Sequence, residues 1–378
     1  MIADTPVNLY DAENNRFEYA VLKKRNNKYF VDKRDTVINM AGDTAISTNG
    51  LYLSPGWIDL HTHIYDGFGM FGINADDIGI KTGVCMVVDA GTTGDYTING
   101  FRKYVEPTIQ TNIKLFICIS PIGIIFNHEY NAMEYLDIEN TVATIEANRD
   151  IISGVKVRMA HGVIRHEGLE PLRMASQVAG ITNLPLMVHI GGNPPYLSEI
   201  EPFMKKGDIL THCFNGSGDV WNKDGTPSAA LERLIDRGII LDVGHGAGSF
   251  SFEVCRKAVL KGIPQICVST DLHARSRHNI VHDMATTLSK MLATSMTLED
   301  IIRGVTKLPA DILRLDNWCD LSSIRNATFF RVENVPSVYS DSYGKSFLFN
   351  KRIVPAGVII NGIFYDLQDK KYHESYDD

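Results

Sequence analysis

The sequence predicts an α/β protein: a (β/α)8 barrel of the TIM type with a small β-sandwich domain built from both chain ends. From Pro55 onward, short runs rich in Val, Ile and Leu alternate with stretches of helical period, as in repeated βα units around a parallel sheet. These units extend over about 250 residues, the usual size of such a barrel. The two chain ends instead show short strand-like runs separated by polar turns.

The predicted barrel strands are residues 57–63, 84–91, 114–120, 154–159, 184–190, 208–214, 239–246 and 264–271. Crossover helices are predicted at residues 74–82, 97–110, 138–152, 169–182, 196–206, 228–237 and 250–262. An open doubly wound sheet is the alternative, but no G-x-G-x-x-G motif follows a first strand to favour it. The barrel is therefore expected to span residues 55–317.

The chain ends are predicted to pair with each other in a small β-sandwich of residues 1–54 and 318–378. Head strands are expected at residues 17–22, 29–32 and 36–39, and tail strands at residues 327–332, 347–348 and 353–364. Asn361-Gly362 is a strong hairpin turn signal. The last nine letters, KKYHESYDD, are typical of a frayed polar tail.

Composition limits the classes of function. The 378 residues include 37 basic and 45 acidic side chains, a net charge of -8, so no positive excess is available for nucleic acid or an anionic membrane. Apolar runs fall far short of the roughly 20 residues that span a bilayer, and the N-terminus lacks the zones of a signal peptide. The 6 Cys form no C-x-x-C pair and are expected to be buried free thiols. We expect a cytoplasmic protein that acts on a small molecule.

Histidines at the ends of predicted strands carry the chemical signal. His61 and His63 lie two apart at the end of the first strand, so both side chains point to the same face. His189, His212 and Asp271 end the fifth, sixth and eighth strands. Because catalytic groups of a barrel collect at the carboxyl ends of its strands, we expect one metal site with N and O ligands, suited to Zn, or to Mn, Ni or Fe. The alternative, five independently satisfied core residues, needs five coincidences.

Lys156 lies inside the apolar run of the predicted fourth strand, where an unpaired ammonium is costly to bury. A desolvated lysine has a lowered pKa and reacts with carbon dioxide as the neutral amine. The resulting carbamate is an anionic ligand with two oxygens that can bridge two metal ions. The alternative is an ordinary inward lysine paired to a carboxylate, and spacing alone does not separate the two.

Taken together, the motifs resemble those of the amidohydrolase superfamily, in its dihydroorotase-like and deacetylase-like branch. They are PGWIDLHTH, GVKVRM, LMVHIGG, GDILTHCFNG, DVGHGAGSFSFE, STDLH and VTKLPADIL, in chain order. The resemblance implies two divalent metal ions, with Zn as the first choice. It implies that the first ion is held by His61, His63 and Asp271, the second by His189 and His212, and that carboxylated Lys156 bridges the pair.

The resemblance also implies a reaction, in which a metal-bridging hydroxide attacks the scissile carbonyl and Asp271 moves a proton to the leaving nitrogen or oxygen. The expected substrate is a small carboxylate-bearing amide or ester, such as an N-acyl amino acid or an acylated hydroxy acid. Three alternatives stay open: a cyclic amidohydrolase like dihydroorotase or hydantoinase, an adenine-type deaminase, and a scaffold protein without metal. Homo-oligomers are a family-level expectation.

Substrate contacts are predicted from position. Arg158 shares a strand face with Lys156 and presents a fork suited to a substrate carboxylate, the alternative being an ion pair in the barrel mouth. His245, inside GHGAG, is expected to contact substrate or the oxyanion, with a structural hydrogen bond as the alternative. Gly192 and Asn193 follow the fifth strand and offer backbone N–H groups. The nearby histidines interpreted as solvated or loop-shaping are His161, His166 and His273.

Overall fold

The computed structural model describes residues 5–25, 28–32, 50–164, 166–262 and 265–368. Its strands are β1 Thr5–Asp11, β2 Arg16–Arg25, β3 Lys28–Asp32, β4 Leu51–Pro55, β5 Trp57–Thr62, β6 Val84–Ala90, β7 Asn112–Cys118, β8 Ile152–Met159, β9 Leu186–Ile190, β10 Ile209–Thr211, β11 Ile240–Asp242, β12 Ile266–Cys267, β13 Ala327–Glu333, β14 Ser337–Ser340, β15 Ser346–Phe349, β16 Arg352–Ile360 and β17 Ile363–Asp366. Its α-helices are α1 Ala75–Ile78, α2 Ile98–Gly100, α3 Ile138–Ala147, α4 His161–Ile164, α5 Glu170–Thr182, α6 Leu197–Ile200, α7 Ala229–Arg237, α8 Phe252–Leu260, α9 Met284–Ala293, α10 Leu298–Val305 and α11 Lys307–Ile312. The predicted strand at residues 36–39 and the predicted polar tail at residues 370–378 lie outside the described residues.

Strands β5 to β12 form one parallel sheet of 8 strands in chain order. The sheet is nearly closed, because a parallel bridge between Thr62 and Leu272 joins its first strand to the segment after its last. The N–H of Asp271 donates to the carbonyl oxygen of His61 at 2.8 Å, across the same seam. The predicted barrel is confirmed, with every strand at its predicted place.

Helices around the barrel follow local sequence signals. Ser228 caps α7 by accepting a hydrogen bond from a first-turn N–H, and Gly238 ends the helix with a left-handed φ of 83°. The predicted helix at residues 97–110 is less regular than expected. After α2 it continues as a π-helical turn, Phe101–Val105, and closes in a 3-10 turn that contains Pro107, which has no backbone N–H to donate.

A second sheet combines both chain ends in the strand order β17-β16-β13-β4-β1-β2-β3. Strands β1 and β4 come from the head of the chain and β13 from its tail, and β13 pairs antiparallel with β4. The predicted turn at Asn361 and Gly362 joins β16 to β17, with φ of 52° and 84° as a tight hairpin requires. A β-rich unit built from both ends is therefore confirmed, while its boundaries at residues 54 and 318 stay predictions.

A separate two-stranded hairpin, β14 and β15, lies between β13 and β16 in the chain. Its connecting loop contacts the barrel, because the N–H of Ser342 donates to the carbonyl oxygen of Phe250 at 3.0 Å. The sequence did not indicate β14. The hairpin therefore brings the C-terminal part of the chain against the carboxyl end of the barrel.

The barrel core is tightly buried below the site. Every residue of β5 and β6 is buried, as expected for parallel strands covered on both faces. All 6 cysteines are free thiols, five of them buried and Cys319 partly so, as predicted. Within the described ranges, no helix combines the length and apolarity needed to cross a bilayer.

Candidate active site

The predicted ligands converge at the carboxyl end of the barrel. His61, His212 and Asp271 each offer a ligand atom within 4.8 Å of the others, a group that could hold a metal ion. Nε2 of His63 lies 3.2 Å from Oδ1 of Asp271, and Nδ1 of His189 lies 2.8 Å from Nε2 of His212. All five strand-end residues singled out in the sequence therefore meet in one cluster.

Lys156 reaches the same cluster from β8 and is wholly buried. Its Nζ lies 3.0 Å from Nε2 of His61 and 3.3 Å from the sulfur of Met187. Among the described residues, no carboxylate forms an ion pair with this ammonium. Burial lowers the pKa of Lys156 to about 8. The lysine is thus desolvated without the carboxylate partner that the ordinary interpretation requires.

Hydrogen bonds from behind orient three of the imidazole rings. In each, Nδ1 contacts a protein oxygen, which turns Nε2 toward the cluster, the arrangement typical of metal-binding histidines. The contacts are His61 Nδ1 to Thr211 Oγ1 at 2.9 Å, His63 Nδ1 to Thr92 Oγ1 at 2.7 Å, and His212 Nδ1 to the carbonyl oxygen of Gly244 at 2.6 Å.

The hydrogen bond that orients His61 continues through Thr211 to the buried carboxylate of Asp242. The Thr211 hydroxyl donates to Oδ2 of Asp242 at 2.6 Å, and the Ser269 hydroxyl donates to the same oxygen at 2.8 Å. Because Thr211 uses its proton toward Asp242, its oxygen accepts the Nδ1 proton of His61. Burial raises the pKa of Asp242 to about 6. Thr211 thus links the cluster to a carboxylate in the barrel interior.

The protonation states of the clustered histidines and of Asp271 suit them to bind a cation. Burial lowers the pKa of His61 and His189 well below the ordinary value and that of His212 to about 4, so these rings are neutral and each keeps one nitrogen without a proton. Burial alone would raise the pKa of Asp271, but His61 and His63 beside it lower that pKa well below its usual range. Neutral imidazoles beside an ionised carboxylate fit a divalent ion such as Zn.

Two ligand positions have unusual backbone geometry. His212 and Asp271 have φ of 67° and 52°, in the left-handed region that non-glycine residues rarely adopt and that recurs at functional sites. Gly246, with φ of 55°, packs so closely on Asp271 that a Cβ there would lie 2.4 Å from Oδ2. Only glycine allows this approach.

A cavity of about 160 Å³ opens beside the cluster. It is lined by His63, Phe71, Ile124, Asn127, Lys156, Arg158, His189, Ala247, Gly248, Asp271 and His273. A wider groove of about 800 Å³ lies between the terminal sheet and the segment after α10, and none of the predicted site residues lines it. Of the predicted ligands, His63, Lys156, His189 and Asp271 therefore line the smaller cavity, and His61 and His212 do not.

Arg158 lines the cavity but is already engaged. Its Nε donates to Oε1 of Glu129 at 2.6 Å, and its Nη2 forms a very short contact with Oε2 of Glu129. Burial alone would lower the pKa of Arg158, but Glu129 raises it, so the guanidinium stays charged. The ion pair in the barrel mouth, weighed as the alternative for this residue, is present in the structure.

His245 does not line the cavity, and both its ring nitrogens contact protein groups. Nδ1 lies 2.9 Å from the carbonyl oxygen of Gly246, and Nε2 lies 3.0 Å from Nζ of Lys290. A direct contact of His245 with substrate stays a prediction, and the geometry gives the side chain a structural hydrogen-bonding role.

The loop after β9 carries the other predicted contacts. Gly192 and Asn193 are partly exposed there and are not among the residues that line the cavity. The carbonyl oxygen of Gly192 accepts from the N–H of His161 at 3.0 Å. His161 and His166 are exposed, as expected of loop histidines. His273 shapes its loop by accepting from the N–H of Arg275 at 3.1 Å, and it also lines the cavity.

Comparisons with known proteins agree with this geometry. No protein-family model matches the chain. Deacetylase Atu3266 of Agrobacterium fabrum is 35% identical over 305 residues, 79% of this chain and 75% of the relative. A deacetylase of Enterococcus faecalis is 34% identical over 342 residues, 88% of this chain and 91% of the relative.

Two solved structures share the fold over nearly the whole chain. An adenine deaminase has a TM-score of 0.84 at 32% identity and covers 95% of this chain and 98% of its own. A dihydroorotase has a TM-score of 0.80 at 31% identity and covers 93% of this chain and 92% of its own. The chain belongs to the amidohydrolase superfamily. The resemblance seen in the sequence is confirmed, and with it the prediction of a hydrolase acting on carbon–nitrogen bonds other than peptide bonds.

Three residues of this amidohydrolase escaped sequence reasoning. Thr211 and Asp242 were not singled out, although both are polar residues that end short apolar strands. Glu129 lies in the long connection between β7 and α3, and the length of that connection was itself a signal of function. Thr211 and Asp242 lie within the motifs GDILTHCFNG and DVGHGAGSFSFE, but each acts through a predicted site residue, so the motif alone did not reveal its role.

Proposed function

We propose that this amidohydrolase is a metal-dependent deacylase, which cleaves an amide, or an ester, in a small carboxylate-bearing substrate. N-acyl amino acids and acylated hydroxy acids are the preferred compounds. The supporting observation is the cavity of about 160 Å³, which is lined by His63, His189 and Asp271 of the cluster together with the buried cation of Arg158. The deacetylase names of relatives at 34 to 35% identity favour removal of an acyl group.

Two divalent ions, with Zn as the first choice, are part of the proposal. One ion would be held by His61, His63 and Asp271, the other by His189 and His212. When bound, such ions lower the pKa of a water molecule and polarise a carbonyl.

Lys156 would lie between the two sets of ligands as a carboxylated bridge. Its neutral amine would attack the carbon of carbon dioxide and lose one N–H proton to water, which leaves an anionic carbamate. The lowered pKa of about 8 increases the neutral fraction of the amine, and the missing carboxylate partner leaves Nζ free to react.

Asp271 is the proposed general acid and base. Its carboxylate lines the cavity, and its pKa, held well below the usual range by His61 and His63, keeps it ionised at neutral pH. It would accept the proton of the attacking water and deliver it to the leaving nitrogen or oxygen.

Arg158 is the proposed partner of the substrate carboxylate. Nε and Nη2 are occupied by Glu129, and within the described part of the chain no acceptor contacts Nη1. The guanidinium lines the cavity, so Nη1 would supply a charge-assisted hydrogen bond. Glu129 holds the arginine plane in place.

The test is a hydrolysis screen of the metal-loaded protein. N-acetyl amino acids and acetylated hydroxy acids of both chiralities are assayed beside dihydroorotate, a hydantoin and adenine, with Lys156→Ala as control. We expect acid release from acylated substrates and its loss in Lys156→Ala. Turnover of dihydroorotate alone would overturn the proposal.

Two other activities have a specific observation in their favour. The likeness to a dihydroorotase at a TM-score of 0.80 favours ring opening of a cyclic amide at the same cluster. The likeness to an adenine deaminase at 0.84 favours release of ammonia from a purine, a reaction served by one metal ion. A Lys156→Ala protein with full activity and one tightly bound ion would support the deaminase. A protein that binds no ion by elemental analysis would support a scaffold instead.

A further inference from the structure

His245 lies in the loop that follows β11, next to the segment that carries Asp271, yet it does not line the cavity. Resting on the proposed function, we propose that His245 is a positioning residue. Together with Lys290 and Ser342, His245 fixes the carbonyl group of Gly246. This carbonyl group in turn positions Ala247 and Gly248, which follow it in the chain and form part of the cavity wall. The chemistry-bearing motif GHGAG would thus act on substrate through its backbone.

Hydrogen-bond chemistry settles the direction of each contact. The carbonyl oxygen of Gly246 can only accept, so the His245 nitrogen 2.9 Å away, Nδ1, carries the ring proton. Nε2 of the neutral ring is then an acceptor, and Nζ of Lys290 donates to it at 3.0 Å. Nζ also donates to the carbonyl oxygen of Ile280 at 2.6 Å. Lys290 therefore fixes the tautomer of His245.

A second hydrogen bond to the carbonyl oxygen of Gly246 comes from the loop of the C-terminal hairpin. We call His245 and Ser342, the two donors to this oxygen, its anchors. The Ser342 hydroxyl donates to the carbonyl oxygen of Gly246 at 3.0 Å and accepts from the N–H of Phe250 at 3.2 Å. The ring of His245 stacks on Phe250, with centroids 4.6 Å apart and planes 26° from parallel. Donors from two distant parts of the chain thus hold one oxygen atom.

The fixed carbonyl belongs to a segment in direct contact with the reaction centre. Gly246 donates its N–H to the carbonyl oxygen of Thr270 at 2.9 Å, and it packs against Oδ2 of Asp271. Ala247 and Gly248, which follow, line the cavity. Their N–H groups donate to no other residue that the structure describes, so they are available to a substrate.

Loss of either hydrogen bond to the Gly246 oxygen would therefore let the cavity wall at Ala247 and Gly248 move relative to Asp271. Because the wall would contact substrate both before and during reaction, its displacement should raise KM more than it lowers kcat. A small displacement at such a site is enough to cost activity.

The test compares four variants in the metal-loaded, full-length protein. Ser342→Ala removes one anchor and Ser342→Thr restores the hydroxyl. His245→Gln keeps a partner for Lys290 but removes the donor to Gly246. Ser340→Ala, on the same hairpin, is the matched control, because among the described residues the Ser340 hydroxyl contacts only that of Ser346.

Hydrogen exchange of the segment 243–251 is read first, since it does not depend on turnover. We expect the N–H groups of His245 and Gly246 to exchange about tenfold faster in Ser342→Ala and His245→Gln, the factor expected for one lost hydrogen bond. The amount of bound metal should stay unchanged and KM should rise. Ser342→Thr should restore both the exchange rate and KM to the values of the unaltered protein.

Exchange and KM that match those of Ser340→Ala in both anchor variants would overturn the proposal. If His245→Gln fails to fold, Ser342→Ala decides alone. If the unaltered protein hydrolyses no acylated substrate, the proposed function fails, while hydrogen exchange still decides whether these residues position the segment.

Discussion

Nζ of Lys156 lies 3.0 Å from Nε2 of His61, with both side chains buried. Two basic nitrogens face each other there, and Lys156 lowers the pKa of His61 beyond the effect of burial. Because the Nδ1 proton of His61 points to Thr211, Nε2 accepts a hydrogen bond from Nζ of Lys156, a contact that an electrophile on Nζ and a cation on Nε2 would replace. The proposed carbamate and metal ions would supply both.

Replacing Lys156 with alanine tests this relationship. We expect bound metal to fall from two ions to at most one per chain, and kcat/KM to fall by at least about a hundredfold, because the bridging ligand is lost. Elemental analysis and steady-state kinetics measure the two effects. Lys114→Ala is the control, since Lys114 contacts the carbonyl oxygen of Asp150 on the surface. Two ions retained by Lys156→Ala would contradict the expectation.

Thr211→Val should weaken metal binding about 10- to 100-fold, the usual effect of removing a partner behind a metal-binding histidine. The substitution deletes the hydroxyl that links His61 to Asp242 while keeping the shape of the side chain. Competition with a chromogenic chelator measures the affinity without any assay of activity. Thr211→Ser should restore it, and an unchanged affinity in the valine variant would refute the link.

Arg158→Met should raise KM for a carboxylate-bearing substrate about tenfold or more, because one charge-assisted hydrogen bond is lost. The primary-amide analogue of the same substrate should show little change, which separates carboxylate recognition from general damage. Glu129→Gln should lower KM for the carboxylate, since it removes the competing charge. Glu134→Gln, exposed in the same connection, serves as control. Equal effects on both substrates would rule out the assigned role.

The stability of the protein should depend on pH through Lys290. Burial lowers its pKa to about 7, although Asp341 and Asp283 oppose the shift. Below pH 7 the folded state carries a buried ammonium. As pH rises from 7 toward the unfolded value of about 10.4, the unfolded state binds more protons, so the free energy of unfolding increases by up to about 1.4 kcal/mol per pH unit.

The comparison is with Lys290→Met, which has no proton to bind at this position. Thermal unfolding of both proteins at pH 6, 7, 8 and 9 should show the wild type gaining stability relative to the variant above pH 7. His245 contacts Lys290, but its pKa lies well below the ordinary value, so it stays neutral across this range. A constant difference across the series would contradict the assigned pKa.

Much of the fold followed from the sequence, because each βα unit has its own apolar period and turn signals. The ends of those strands also located the cluster of predicted metal ligands: His61 and His63 by their spacing of two, and His189, His212 and Asp271 by strand-end position. Local patterns specify such features, since a parallel barrel places all carboxyl ends at one rim.

Only the tertiary structure decided what surrounds those ligands. Glu129 meets Arg158 and Lys290 meets His245 across 29 and 45 positions of the chain, respectively. No sequence period relates such pairs, because loop conformation and helix packing set their distances. The sequence by itself determined the barrel, the histidine and aspartate residues that cluster at its rim, and the superfamily. The folded chain determined that Arg158 pairs with Glu129 and that His245 contacts Gly246 and Lys290.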